Sequence, residues 1–198
     1  LKDSLKSGQV SVEELQEVAD KLDTASQSIV KLVSGIKTYA RIEETAPVPI
    51  DLNSAIKESL NLVAFLYKQE DIKLREELSG DSPMILGNIG KLQQVLMNLF
   101  SNAKDAMESS KTKIISVETS EQDGKVTIEV SDTGCGIAPD QIKRIFSRAY
   151  TTKPVGKGSG MGLDLVRKLV RGMDGSISVE SEVARGTTFR IEFPRYGQ

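Results

Sequence analysis

Histidine and tryptophan are missing from this 198-residue chain, and cysteine occurs once. The absent histidine removes the most chemistry. No Ser-His-Asp or Cys-His nucleophile, no histidine general base and no histidine-bearing zinc site can be assembled from these residues. A single thiol, Cys135, excludes an intrachain disulfide framework and a multi-thiolate metal site, and fits a reducing compartment. No apolar run approaches the ~20 residues of a membrane-spanning helix, and the opening LKDSLKSG carries no signal-peptide apolar stretch. A cytoplasmic location is expected, in a parent protein that is free to be membrane-anchored. Leu1 stands where an initiator Met would, so the chain reads as cut from something longer.

What is present is a nearly balanced charge, 26 basic against 28 acidic side chains, unevenly spread. Between Gln141 and Arg171, the cations Lys143, Arg144, Arg148, Lys153, Lys157, Arg167, Lys168 and Arg171 face only Asp164. Such a stretch suits phosphates, on a nucleotide or on nucleic acid, and also suits a solvated helix face.

The chain reads as two parts, 1–46 and 47–198. Over 11–43, Leu15, Val18, Leu22, Ala25, Ile29, Leu32, Ile36 and Tyr39 alternate steps of three and four, an a/d heptad pattern. Val12, Ala19, Val33 and Ala40 widen the stripe as a helical bundle requires, and Ser11 with Glu14 forms a capping box. Pro47 and Pro49 end this helix. Beyond them a helix capped by Asp51 runs to about Tyr67, strands follow at 72–78 and 84–86, and 90–107 is strongly helical. Residues 113–119 and 126–131 read as a hairpin around Asp123-Gly124. A short helix at 140–146, a glycine-rich segment, a helix over 162–172 and a second hairpin (176–182, 187–193) close the chain. This order of helices and antiparallel hairpins predicts an α+β two-layer sandwich.

Three features carry chemistry. The run Gly156-Lys157-Gly158-Ser159-Gly160-Met161-Gly162 leads into a helix N-terminus, where backbone N–H groups suit phosphate. It is not a P-loop, since Lys157 is followed by Gly; a surface loop is the plain alternative. Asp132-Thr133-Gly134-Cys135-Gly136-Ile137 follows a strand. It reads as a turn, or as a carboxylate that accepts from an exocyclic amine while glycines admit a planar ring. Asn98 and Asn102 share a helix face; an amide oxygen there suits a hard cation, and a solvated surface suits it as well.

In order along the chain stand Asn98-Leu-Phe-Ser-Asn102-Ala-Lys-Asp-Ala-Met107, Asp132-x-Gly134-x-Gly136, Phe146 followed by Tyr150-Thr-Thr-Lys153-Pro154, Gly158-x-Gly160-x-Gly162-Leu163, and Gly186-Thr187-Thr188-Phe189. This series resembles the asparagine, first glycine, phenylalanine and second glycine boxes and the final Gly-Thr element of sensor histidine kinases. The likeness spans about 48–195, and the helix 11–43 is similar to the second helix of that family's dimerisation and phosphotransfer hairpin. One departure stands out: Arg148 and Ala149 occupy the place of the usual Pro and Phe. Asn98 fits the kinase pattern and stands where related chaperone, mismatch-repair and topoisomerase ATPases carry Glu.

The resemblance implies a Bergerat-type sandwich that binds ATP and Mg²⁺, with 147–161 as a lid. Asp132 would accept from the adenine amine, with Thr187 supporting a water beside it and Gly134, Gly136 and Ile137 lining the base. Asn102 would ligate Mg²⁺, assisted by Asn98 and flanked by Asp105. Gly158, Gly160 and Gly162 would admit the phosphates and Lys153 would contact the terminal one, with Thr152, Ser159, Met161 and Leu163 among the nucleotide-binding residues; Asn98 and Lys153 would serve the transfer itself. It further implies a histidine acceptor on a hairpin helix outside this chain, a response-regulator receiver domain as partner and a homodimer through the hairpin. No nucleic-acid partner is expected. The alternatives are a regulatory nucleotide-binding module and an ATPase of the same superfamily.

Overall fold

The computed structural model describes residues 15–16, 46–80, 82–147 and 162–197. Leu15 and Gln16 are helical; the rest of the expected 11–43 helix lies outside the described residues, as does 148–161. The chain divides after Thr45 into two units, of which Ala46–Gln198 holds all the strands.

Strand β1 (Val48–Asp51) leads directly into helix α1 (Leu52–Gln69). Asp51 caps it, its carboxylate accepting from the Ser54 N–H at 3.1 Å, and that bond holds the Asp51 pKa below the usual carboxylate value. Strands β2 (Lys73–Glu77) and β3 (Met84–Gly87) precede helix α2 (Ile89–Ala106). Asn88 caps α2 through the Lys91 N–H at 3.0 Å, so the helix starts one residue before the expected Gly90. Strands β4 (Ile114–Gln122) and β5 (Lys125–Asp132) form the expected hairpin. Its turn residues Asp123 and Gly124 both have positive φ, 52° and 71°, as a tight two-residue connection demands. Helix α3 (Pro139–Ile142) is shorter than the expected 140–146, because the chain tightens into turns from Lys143 onward. Helix α4 (Gly162–Arg171) and the hairpin of β6 (Ser176–Glu182) and β7 (Gly186–Pro194) complete the order.

The main sheet runs β2-β4-β5-β7-β6, with β3 diverted into a small antiparallel pair with β1. One relation departs from the expected hairpins: β2 lies parallel to β4, Lys73 opposite Ile114. Helix α1 begins between β1 and β2, and α2 between β3 and β4, so these strands meet through crossovers, not tight turns.

The period-two alternation sets the inner face. In β5, Val126, Ile128, Val130 and Asp132 are buried; in β7, Thr187, Phe189, Ile191 and Phe193 are. Against them α2 lays Leu92, Val95, Leu96, Leu99, Phe100 and Ala103, all buried. Burial of each large side chain contributes about 1.5–3 kcal/mol. A buried polar link ties α1 to β4: the Thr119 hydroxyl donates to Asn53 Oδ1 at 3.1 Å, and Asn53 Nδ2 donates to the Ser79 carbonyl at 2.7 Å. The result is the two-layer α+β sandwich that the element order predicts, with a polar residue ending each inner row, Asp132 on β5 and Thr187 opposite it on β7.

Candidate functional site

The alternation that buries Val126, Ile128 and Val130 also carries Asp132 to the helix-facing side, where it is 9% exposed. Loss of water pushes its pKa up to about 6, and hydrogen bonds from the backbones of Gly134 and Thr187 partly offset that rise. The Gly134 N–H donates to Oδ1 at 2.8 Å. The result is a buried acceptor held in place by backbone donors, with capacity left for a ligand's N–H.

Glycines let the surrounding backbone close around this carboxylate. A Cβ on Gly134 would stand 2.6 Å from Asp132 Oδ1 and 2.7 Å from the Ala106 Cβ at the end of α2. Gly136 has φ +70° and abuts the Glu182 carbonyl, where a Cβ would come within 2.1 Å. The 132–137 loop is thereby joined to α2 and to the β6–β7 turn. The Cys135 N–H donates to the Ala106 carbonyl at 3.0 Å, the Ala184 N–H to the Cys135 carbonyl at 2.8 Å, and the Ile137 N–H to Ser181 Oγ at 2.8 Å. The Cys135 side chain is exposed and its thiol is free of any disulfide.

Asn98 and Asn102 lie four apart on α2, off its core stripe and half-buried. The Nδ2 atoms of both are buried and, among the described residues, unpartnered. A buried amide donor without a partner costs about 1–3 kcal/mol, so two on one face mark a place shaped for a polar ligand. A turn of the amide offers oxygen to a cation or NH₂ to a phosphate oxygen. Gly162, the first residue of α4, faces Asn98: a Cβ there would sit 3.8 Å from Asn98 Oδ1. The start of α4 therefore lies beside the Asn98 amide, where a helix end's unpaired N–H groups suit an anion. Among the described residues no three His, Cys, Asp or Glu cluster as metal ligands. A magnesium ion held mainly by a ligand's phosphates, with one amide oxygen from the protein, fits this donor set.

Asp105 stands exposed one turn beyond Asn102. Burial first, then the charges of Asp105 and Glu70, raise the Tyr67 pKa to about 12, so the Asp105 field reaches toward α1. Phe146 packs edge-on against Phe189, centroids 6.4 Å apart, and carries the Arg167 guanidinium 5.9 Å above its ring. Asp164, 8% exposed in the first turn of α4, pairs with Lys168 at 2.8 Å and Arg167 at 3.7 Å. Two of the cations counted between Gln141 and Arg171 are thus engaged locally.

The family profile described as histidine kinase-, DNA gyrase B- and HSP90-like ATPase matches residues 87–197, more than half of the chain. The chain belongs to this ATPase family. Its relatives include the sensor histidine kinase ZraS of Escherichia coli K12, 34% identical over 181 residues, 91% of this chain and 38% of ZraS. The chain thus spans well under half the length of that relative. Among solved structures, the catalytic domain of histidine kinase ThkA is 26% identical with a TM-score of 0.68, covering 76% of this chain and 97% of that one. Full-length ShkA in complex with AMPPNP is 28% identical with a TM-score of 0.74, covering 96% and 40%. The chain thus carries the ATP-binding catalytic domain of sensor histidine kinases.

In this ATPase domain Asp132, Gly134, Gly136, Ile137 and Thr187 meet at one end of the sheet, while Asn98 meets Gly162 at the α2–α4 junction and Asn102 lies one turn further along α2. Leu163 is half-buried in the first turn of α4, and Asp105 is exposed on α2 one turn beyond Asn102. Thr152, Lys153, Gly158, Ser159, Gly160 and Met161 lie outside the described residues. A hollow of about 360 Å³ is lined by Asp132, Ser181, Gly186 and Thr187 among others; it reaches neither asparagine and covers only the sheet end of the site. Sequence reasoning missed Ser181, whose hydroxyl also donates to the Gly186 carbonyl at 2.8 Å and lies 3.0 Å from Thr187 Oγ1. A signal was there: Ser181 continues the inward positions Ile177 and Val179 of β6 with a polar residue.

Proposed function

We propose that this chain is the phosphoryl-donating part of a two-component sensor histidine kinase, transferring the ATP γ-phosphoryl to a histidine outside its own sequence. The observation that carries this reading is the pair of buried amides on α2, unpartnered among the described residues, with Asn98 beside the start of α4, in the same domain as a buried acceptor at Asp132. Asp132 accepts from the adenine amine, with Thr187 beside it, and Gly134, Gly136 and Ile137 admit the ring. Asn102, with Asn98 adjacent, would hold Mg²⁺, which supplies neutralisation of phosphate charge. Asp105, one turn beyond Asn102, contributes to nucleotide binding. Thr152, Lys153, Gly158, Ser159, Gly160, Met161, Gly162 and Leu163 serve the phosphates, with Lys153 on the terminal one.

Phosphoryl transfer asks chiefly for positioning and charge stabilisation, so a site without a protein base is adequate to it. An amide at position 98 cannot take a proton from water, which favours transfer over hydrolysis. Residues 1–46 form the partial hairpin of a homodimer, 47–198 the catalytic domain, and a receiver-domain aspartate takes the phosphoryl onward in the cytoplasm. The test is incubation of the chain with γ-labelled ATP and a separately supplied hairpin carrying the histidine. Label moving to that hairpin is expected; tight ATP binding with an unlabelled hairpin would instead make the chain a regulatory nucleotide module.

A further inference from the structure

Ser181 makes three hydrogen-bond contacts and has one proton to give. A carbonyl can only accept, so at 2.8 Å the Ser181 hydroxyl donates to Gly186. It accepts the Ile137 N–H, also at 2.8 Å. Its third contact is Thr187 Oγ1 at 3.0 Å. With the Ser181 proton on Gly186, the hydrogen in that third contact comes from Thr187, whose hydroxyl then shows only lone pairs elsewhere. Thr187 stands directly across the sheet from Asp132, whose ionised carboxylate is likewise an acceptor. The two share the lining of one hollow with Ser181.

We propose that Ser181 is a positioning residue that sets base specificity: it commits the Thr187 proton, so that the Asp132–Thr187 pair presents acceptors alone. The inference rests on the reading of Asp132 and Thr187 as facing adenine. A wall of acceptors takes a base edge, or a bridging water, through its donors. An exocyclic amine satisfies it, whereas a carbonyl oxygen in the same place sets acceptor against acceptor. Ser181 acts through Thr187 and through the Ile137 backbone without touching the base.

The experiment measures affinities of the whole chain for ATP and for ITP, in which a carbonyl oxygen replaces the exocyclic amine. Ser181→Ala is expected to weaken ATP binding about tenfold, the scale of one lost hydrogen bond. It also releases the Thr187 proton toward the cleft and narrows the preference for ATP over ITP several-fold. Ser181→Thr keeps a hydroxyl and restores both values. Thr187→Val, made alone, reduces the same preference and serves if Ser181→Ala fails to fold; added to Ser181→Ala it reduces the preference no further. Equal weakening of both nucleotides, or independent effects of the two substitutions, overturns the assignment while leaving the nucleotide site standing. A wild-type chain that binds neither nucleotide overturns the ATP reading and this one with it.

Discussion

The Gly134 N–H and the Asp132 carboxylate form a closed local loop, donor to Oδ1 at 2.8 Å, with no room for a side chain between them. A methyl group on Gly134 would press on the carboxylate at 2.6 Å, on Ala106 Cβ at 2.7 Å and on the Ala106 carbonyl carbon at 2.9 Å. Gly134→Ala is therefore expected to weaken nucleotide binding by about a hundredfold or more and to destabilise the domain by about 1–3 kcal/mol. Calorimetry with ADP and urea unfolding measure the two effects; wild-type affinity would show that the loop yields freely.

Asp132 has a pKa raised to about 6 by burial, so the folded state takes up its proton more readily than the unfolded chain does. Its contribution favours folding below the unfolded carboxylate value near 4 and is lost as pH rises through about 6. Asp132→Asn is expected to stabilise the ligand-free protein at pH 7 by on the order of 1–3 kcal/mol and to flatten this part of the pH profile. On the proposed adenine assignment the same substitution is expected to abolish base recognition. Wild-type ATP affinity is then expected to fall as pH drops through about 6, because a protonated carboxyl loses acceptor capacity. Melting temperatures and titrations between pH 4.5 and 8 check the sign of both trends.

Asn98 and Asn102 set binding against stability in the same way. Each buries an amide nitrogen without a partner among the described residues, so Asn102→Ala is expected to leave folding unchanged or to raise stability by up to about 1 kcal/mol. ATP affinity in the presence of Mg²⁺ should fall at least tenfold, with a much smaller change in EDTA. Loss of stability without loss of Mg²⁺-dependent affinity would make the residue a packing element.

Phe146 and Arg167 should be energetically coupled. Phe146→Leu removes an edge-to-face contact with Phe189 and the surface under the guanidinium, for an expected loss of about 1–2 kcal/mol. Arg167→Ala is expected to destabilise by about 0.5–1 kcal/mol, and by less when Phe146 is already leucine. A double-mutant cycle in urea reads the difference, and strict additivity would dissolve the pair.

Local pattern and physical necessity made much of this fold legible. Asp123-Gly124 set the hairpin, and the 3–4 spacing of Leu92, Leu96, Leu99 and Ala103 fixed the buried face of α2, whereas Asp132, read as following the strand, proves to be its last, buried residue. The parallel pairing of β2 was not legible, because its partner β4 begins 41 positions along and nothing in the Lys73–Glu77 composition names it. The diversion of β3 to β1 was hidden for the same reason. At the site, the glycine boxes announced close approach, but what they approach emerged only in three dimensions: Ala106 for Gly134, Glu182 for Gly136. Ser181 escaped because the alternation of β6 marks only its inward side, and its role depends on three partners brought in by different turns.

The pairing of β5 with β7 has a consequence for how the protein matures. Asp132 and Thr187 meet only when a register spanning much of the domain has closed, long after the local β4–β5 and β6–β7 turns can form. A nascent or half-refolded chain holding both hairpins therefore still lacks the Asp132–Thr187 pair proposed to meet the base. Recovery of nucleotide affinity during refolding is expected to trail recovery of strand signal, making ligand capture a reporter of completed topology.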